Sequence, residues 1–522
     1  MKRKIVTGMF LMMMSVSLLA CSASLDSEDS STTGEATETV EASSEYSELT
    51  IKTDWESMAT IIFSDSTMAI DGSGCSDEDG VLYITEGGAY TITGTSSDAC
   101  IVVDTDENVK IILNGVDLTN DDGPVIYGAN VKNLYIELAD DTTNYLTDGS
   151  TYVTDSSTGE EIGKGVISCE DDIIILGSGS LNITANHQHG IVSDDKLYIE
   201  DGTIDITSYG TDGIHANDLV CIDGGTINVT APSDIMESED MLVINGGTIT
   251  GTSDDEGIEA KGSLYINGGN IDIAVADDGL NAGTYIEING GTMYVTCTNG
   301  DAIDCNGNYD GCIVINGGLV YAMGGGTPEG GIDADNSSVI INGGTVIAIG
   351  DVNSPIDESG SQVTVVYGSF SAGDTIGILD SDGNTVFAIE PTVSGNTMII
   401  STANLTSGET YTIYTGGTIE GDSDEYGYYE NGTYSGGTSA LEFTVDSQVV
   451  EAGGSDEGMG GMGGGPGGDM GGGPGMNSDE EMPSRGQAPD DGDFGKGGGK
   501  GMPQDNGDGP GSADSDSSDS SQ

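Results

Sequence analysis

Five short segments place a carboxylate at the same position on a near-constant ruler: DGIHA from Asp212, DIMES from Asp234, EGIEA from Glu256, DGLNA from Asp278 and DAIDC from Asp301. The step from one first acid to the next is constant to within a single position. Three positions further on lies a second set: His215, Glu237, Glu259, Asn281, Asp304 and, from GGIDA, Asp333. HGIVS, from His189, precedes the series by one more such step. If the chain coils once per repeat, each set becomes a column with about 4.8 Å between neighbours. The apolar residue between the two sets (Ile214, Met236, Ile258, Leu280, Ile303) then points inward. Carboxylates that close repel, and some must stay protonated unless a cation compensates them. No arginine lies between Arg3 and Arg485, and Lys261 is the one cation in the motif itself. The simplest compensation is a hard divalent cation held by oxygen, hence calcium. A weak extracellular site would have a Kd of about 10⁻⁴ to 10⁻³ M. The competing reading is a pair of solvated acidic edges screened by monovalent ions.

What must position these acids is a repeat. The residue after a turn glycine falls at Thr203, Thr226, Thr248, Asn270, Thr292, Leu319 and Thr345. Each unit reads as strand, Gly-Gly corner, strand and polar loop, as in LVINGGTIT and LYINGGNIDI. Asn-Gly supplies a corner where positive φ is cheap. After it, apolar residues such as Ile271 and Ile273 alternate with polar ones, so one face of each strand is buried. Equivalent strands recurring at this period fit one turn of a solenoid, whereas a propeller blade needs about 40 residues. The expected class is all-β: a right-handed parallel β-helix with a C-terminal β cap and disordered tails. The expected segments are a signal peptide over 1–20, a linker over 21–48, the coil over 49–350, the cap over 351–450 and a Gly/Met/Pro/Asp-rich tail over 451–522.

The chain has 522 residues and a formal net charge of -77. That charge excludes nucleic acid as an electrostatic partner and disfavours an anionic membrane surface. The N-terminus, MKRKIVTGMFLMMMSVSLLAC, has a basic start and a short apolar run, the pattern of an export signal. Its end resembles a bacterial lipobox, which implies cleavage before Cys21, a lipid on that thiol and an extracellular protein tethered to the cell membrane. The other seven cysteines have no zinc spacing and read chiefly as core residues; no disulfide is assigned.

The segments DGIHAND (212–218), DEGIEAKGSLYINGG (255–269), DDGLNAG (277–283) and GDAIDCNGN (300–308) resemble a bacterial family of secreted carbohydrate-binding β-helices. The resemblance spans about residues 50–420. It implies a parallel β-helix related to polysaccharide lyases that binds cellulose-like and pectic polymers, with calcium held by the acidic loops. Carried over by position, the calcium ligands would be Asp212, Glu256, Glu259, Asp278, Asp301 and Asp304. The Asp234 segment departs from the Gly-Ile pattern.

Binding and catalysis make different demands. A lyase needs a base, and Lys261 is the candidate in a calcium-dependent polysaccharide lyase. An ion pair with Glu256 or Glu259 is the favoured role for it. His187, His189 and His215 read as surface or loop residues. Neutral glucans need aromatic platforms, and Tyr198 and Tyr265 occupy equivalent strand positions. The favoured function is a lipid-anchored, calcium-containing β-helix that binds plant-cell-wall-type polysaccharide, with a lyase and a structural adhesin or stalk as alternatives.

Overall fold

The computed structural model describes residues 50–65, 67–335 and 337–453. The signal peptide, Cys21, the linker and nearly all of the tail lie outside the described residues. Among those residues there is no helix, and the chain forms a parallel β-solenoid of about 12 turns.

A typical rung has three strands, such as Ile258–Ala260, Ser263–Ile266 and Asn270–Val275. The first belongs to an 11-stranded sheet, and the other two to two separate parallel ladders of a 25-stranded sheet. Register places like on like. Ile204, Ile227, Ile249, Ile271, Met293, Val320 and Val346 form one inward column, each at most 1% exposed. Burying one such side chain stabilises by roughly 1.5–3 kcal/mol, so a rung that cannot hide its own face gains stability from each neighbour.

The corners follow the same logic. Gly225, Gly247, Gly269 and Gly291 have φ between +87° and +92°, a conformation that a Cβ disfavours. Beside them, Asn267, Asn289, Asn316 and Asn342 form a ladder, each side-chain amide donating to the carbonyl of the one before at 2.8–2.9 Å. Asn289→Ala removes the bond that residue makes and the one it receives. It is expected to cost about 1–2 kcal/mol in urea unfolding, since each such bond nets about 0.5–1.5 kcal/mol. An unfolding midpoint that does not move would show the ladder to be ornament.

Parallel stacking stops where the repeat stops. Thr397–Thr402 pairs antiparallel with the last rung strand, Thr345–Gly350, and with Thr364–Tyr367. A four-stranded antiparallel sheet, of Ile376–Asp380, Thr385–Ile389, Thr410–Thr415 and Thr438–Thr444, covers that end with a second core. Tyr426 reaches from this region to the coil, stacking on Tyr294 at 4.5 Å and donating to Asp272 at 2.7 Å. At the other end, Ser57–Ser64 pairs antiparallel with Thr67–Gly72 and parallel with Gly88–Ser96.

Candidate functional site

The 11-stranded sheet carries the acids. Its register runs Val192, His215, Glu237, Glu259, Asn281 and Asp304, and a bridge adds Asp333. The second column of the sequence is therefore a physical ladder. The first column sits just before these strands, and backbone amides of later rungs tie it together: Asp234 N donates to Asp212, Asp301 N to Asp278 and Gly330 N to Asp301.

The glycine of the Asp-Gly-Ile motif is needed for space rather than for φ. A Cβ on Gly213 would lie 2.3 Å from Val229 Cγ1; on Gly257, 2.7 Å from Ile273 Cδ1; on Gly279, 2.1 Å from Val295 Cγ1. Each glycine makes room for an inward side chain on the third strand of its own rung and for a backbone carbonyl of the next rung, which would stand 2.8, 2.3 and 2.6 Å from the three Cβ atoms. The departing segment obeys the same rule in reverse. Ile235, fully buried, replaces the glycine, and Gly251 stands where its neighbours have Val229 and Ile273. A Cβ on Gly251 would lie 2.8 Å from Ile235 Cδ1.

The columns divide chemically. In the early rungs the carboxylates meet nitrogen. His189 Nδ1 lies 2.9 Å and His215 Nδ1 3.3 Å from the same oxygen of Asp212, and His215 Nδ1 lies 3.1 Å from Glu237. Lys261 pairs with Glu237 at 3.0 Å and with Glu259. Burial would raise Asp212, but the hydrogen bonds from the two imidazoles outweigh it and hold that carboxyl far below its usual range. Burial likewise opposes charge on His215, yet Asp212 and Glu237 push it up to about 10. His189 and His215 are thus site residues, correcting their reading as surface or loop groups. Their place in the two columns was the signal. His187 instead pairs with Glu161 and packs on Tyr152.

In the later rungs only oxygen is offered. Carboxylate atoms of Asp301, Asp304 and Asp333 lie within 4.8 Å of one another. The Asn306 amide donates to Asp304 at 2.9 Å. Burial, then the charges of Asp278, Asp301, Asp335 and Asp333, pushes Asp304 up to about 8. Burial also raises Asp301 to about 7 against the Gly330 amide, and Asp278 to about 6 against the Asp301 amide. Between the two halves, burial and the surrounding acids raise Asp234 to about 9, and burial raises Glu256 to about 7. Asp234 Oδ1 is buried with no hydrogen-bond partner among the described residues. Of the six expected calcium ligands, Asp301 and Asp304 come together with Asp333, with Asp278 joined to Asp301 through a backbone amide. Asp212 is placed with the imidazoles, Glu259 with Lys261, and Glu256 with Asp234 and Asp255.

One family's sequence model, for carbohydrate-binding domain-containing proteins, matches residues 78–275 and 237–423. The chain belongs to this family. A carbohydrate-binding domain-containing protein of Acetivibrio thermocellus is 34% identical over 136 residues, which are 26% of this chain. Those residues span 47%, about half, of that relative's length. A solved structure described as a polysaccharide lyase-like protein from C. thermocellum, a gadolinium derivative, is 28% identical. It covers 50% of this chain and 100% of its own, at a TM-score of 0.38.

In this carbohydrate-binding domain protein the aromatic residues are divided too. Tyr198 faces away from the main core, yet it is only 4% exposed. It packs in an apolar strip with Tyr135, Ile174, Leu219 and Cys221, so its ring is covered and offers no platform. Tyr265 is half-buried on the outer side of the same sheet, and a line of rings continues from it. Tyr285 lies 5.9 Å away, and Tyr309, 40% exposed and nearly parallel to Tyr285, a further 6.3 Å on. Tyr285 and Tyr309 escaped the sequence reading because they do not share Tyr265's register position.

Lys261 does not suit proton abstraction. Burial lowers its pKa, but the bonds to Glu259 and Glu237 outweigh this and raise it above the ordinary lysine value. An ammonium held in that way compensates the charge of Glu237 and Glu259.

Proposed function

We propose that this protein is a cell-surface lipoprotein, anchored through Cys21, that captures cellulose-like or pectic polysaccharide on a calcium-containing β-helix. The observation that carries the reading is a juxtaposition along one edge of the coil. The strand that bears Asn281 is followed by the one that begins at Tyr285, and the loop after Asp304 bears Tyr309. A carboxylate ladder and a line of aromatic rings therefore flank a single edge.

The residues fit the metal. Asp301, Asp304 and Asp333 offer oxygen alone, the donor set that a hard cation selects. Calcium there would neutralise the ladder and supply an attractive charge for uronate carboxylates, which a protein of net charge -77 otherwise repels. Tyr265, Tyr285 and Tyr309 supply apolar ring surface for the sugar faces.

The test is depletion of the full chain from solution by insoluble cellulose and by polygalacturonate gel, with calcium or with chelator. Retention on the pectic gel is expected only with calcium. Tyr309→Ala, at an exposed position, is expected to weaken polymer binding about fivefold or more without changing the melting temperature, the share of an aromatic contact worth about 1 kcal/mol. No retention on either polymer would leave the coil as a stalk.

A further inference from the structure

The nitrogen-bearing rungs have a donor set unlike the rest of the ladder. We propose that His189, Asp212 and His215, with Glu237 beside them, form a second metal site, selective for a borderline divalent ion such as zinc.

Geometry is the first argument. His189 Nδ1 and His215 Nδ1 lie 2.9 and 3.3 Å from Asp212 Oδ2, and His215 Nδ1 lies 3.1 Å from Glu237 Oε2. Four donors about 2.0–2.1 Å from zinc in a tetrahedron stand about 3.3–3.4 Å apart. His189, Asp212 and His215 each offer a donor atom within 4.8 Å of the other two, three ligands with a fourth position open, and Glu237 meets this group through His215. The side chains are enclosed, from 4% exposed for Asp212 to 14% for His189.

Outer partners are the second argument. Each carboxylate has one oxygen anchored elsewhere and the other turned to the site. Asp212 Oδ1 accepts from the Asp234 amide at 3.3 Å, which leaves Oδ2 for the imidazoles. Glu237 Oε1 is held by Lys261 at 3.0 Å, which leaves Oε2 facing His215. Orientation of ligands by such second contacts is a regular feature of built metal sites. The Thr211 hydroxyl, 3.0 Å from His189 Nδ1, meets the ligating nitrogen itself and must turn aside for the metal.

Chemistry is the third. Two imidazoles and a carboxylate, with a second carboxylate beside them, select zinc and its first-row neighbours, whereas calcium prefers oxygen alone. The two carboxylates also balance the dication's charge. The coil would thus hold two kinds of metal along one sheet: a hard ion late in the ladder, at Asp301, Asp304 and Asp333, and a borderline ion early in it.

Cobalt(II) titration of the chelator-stripped full chain tests this without any variant. Four-coordinate cobalt bound by nitrogen and oxygen gives intense visible absorption. That absorption is expected to saturate at one equivalent, to be bleached by zinc and to survive excess calcium. His189→Gln and His215→Gln, checked for native circular dichroism, are expected to abolish it, and Lys261→Met to weaken zinc binding about tenfold. Asp304→Asn is expected to leave it unchanged while reducing calcium binding. No visible absorption, absorption indifferent to both histidine substitutions, or displacement by calcium would each overturn the proposal, and none of them would overturn the calcium reading.

Discussion

In chelator at pH 8, Asp304→Asn is expected to raise the melting temperature; in millimolar calcium, the same substitution is expected to lower it. The reversal follows from what the carboxylate does in each state. Without metal, Asp304 is buried beside Asp278, Asp301, Asp335 and Asp333, which push it up to about 8. A buried charge held only by the Asn306 amide, among other acids, is costly, and a neutral amide of the same shape relieves that cost. A carboxyl whose folded pKa exceeds its unfolded value of about 3.9 binds more protons folded than unfolded. Its stabilising contribution is therefore complete below about pH 4 and is lost as pH rises through about 8. Asp301, raised to about 7, adds a change of the same sign. The metal-free protein should therefore melt progressively lower from pH 5 to pH 8. Calcium should abolish this slope, because it binds the deprotonated form, and binding should release protons, measurable as a heat that depends on the buffer. At a hundredfold excess over Kd, a single site stabilises by about 2.7 kcal/mol, a shift that calorimetry resolves easily. Asp304→Asn should weaken calcium binding about tenfold or more, since ligand charge sets affinity in such sites. If calcium raises the melting temperature equally in the variant, the metal lies elsewhere. If it raises neither, the ladder is a solvated edge.

The coil was legible because its signals repeat. The steps between Thr203, Thr226, Thr248, Asn270 and Thr292 give the rung length directly, and rung length fixes which residues stack. Both acidic columns followed, and the register from His215 to Asp304 matches the alignment residue for residue. What the repeat cannot carry is the content of a single rung. Whether His189 and His215 face the column or solvent depends on Asp212 and Glu237 in adjoining rungs, a contact between repeats that no motif records. Tyr198 and Tyr265 share a strand position, but only Tyr198 lies between Ile174 and Cys221. Beyond Gly350 the ruler is gone. The antiparallel return of Thr397–Thr402 over the last rung has no periodic signature at all.

Exchanging Ile235 and Gly251 is expected to restore most of the stability that either change alone destroys. Along the coil, a glycine in the acidic segment faces a branched residue on the third strand of its rung, as in Gly213 with Val229, Gly257 with Ile273 and Gly279 with Val295. At one rung the pair is inverted, so the total volume is kept while the bulk comes from the other strand. Ile235→Gly alone empties a fully buried site and is expected to cost about 3–5 kcal/mol, the range of large core deletions plus the freedom that glycine gains in the unfolded chain. Gly251→Ile alone forces a side chain toward Ile235 Cδ1 and the Val229 carbonyl, each of which would stand 2.8 Å from the new Cβ, and is expected to cost about 2–3 kcal/mol. The double variant restores the volume balance of the rungs on either side and should recover most of the summed loss, leaving the approach of the new Cβ to the Val229 carbonyl as a residual cost of about 1–2 kcal/mol. The expected coupling exceeds what residues without a shared contact show. Urea unfolding of the four proteins measures it. Additive losses would mean that the two positions do not share one space. The outcome also bears on the site, because Asp234 precedes Ile235 directly and its buried Oδ1 has no partner among the described residues. With glycine at 235 the segment reads Asp-Gly-Met, close to the motif of its neighbours. The inversion would then be a packing solution that the coil accepts without moving the carboxylate column.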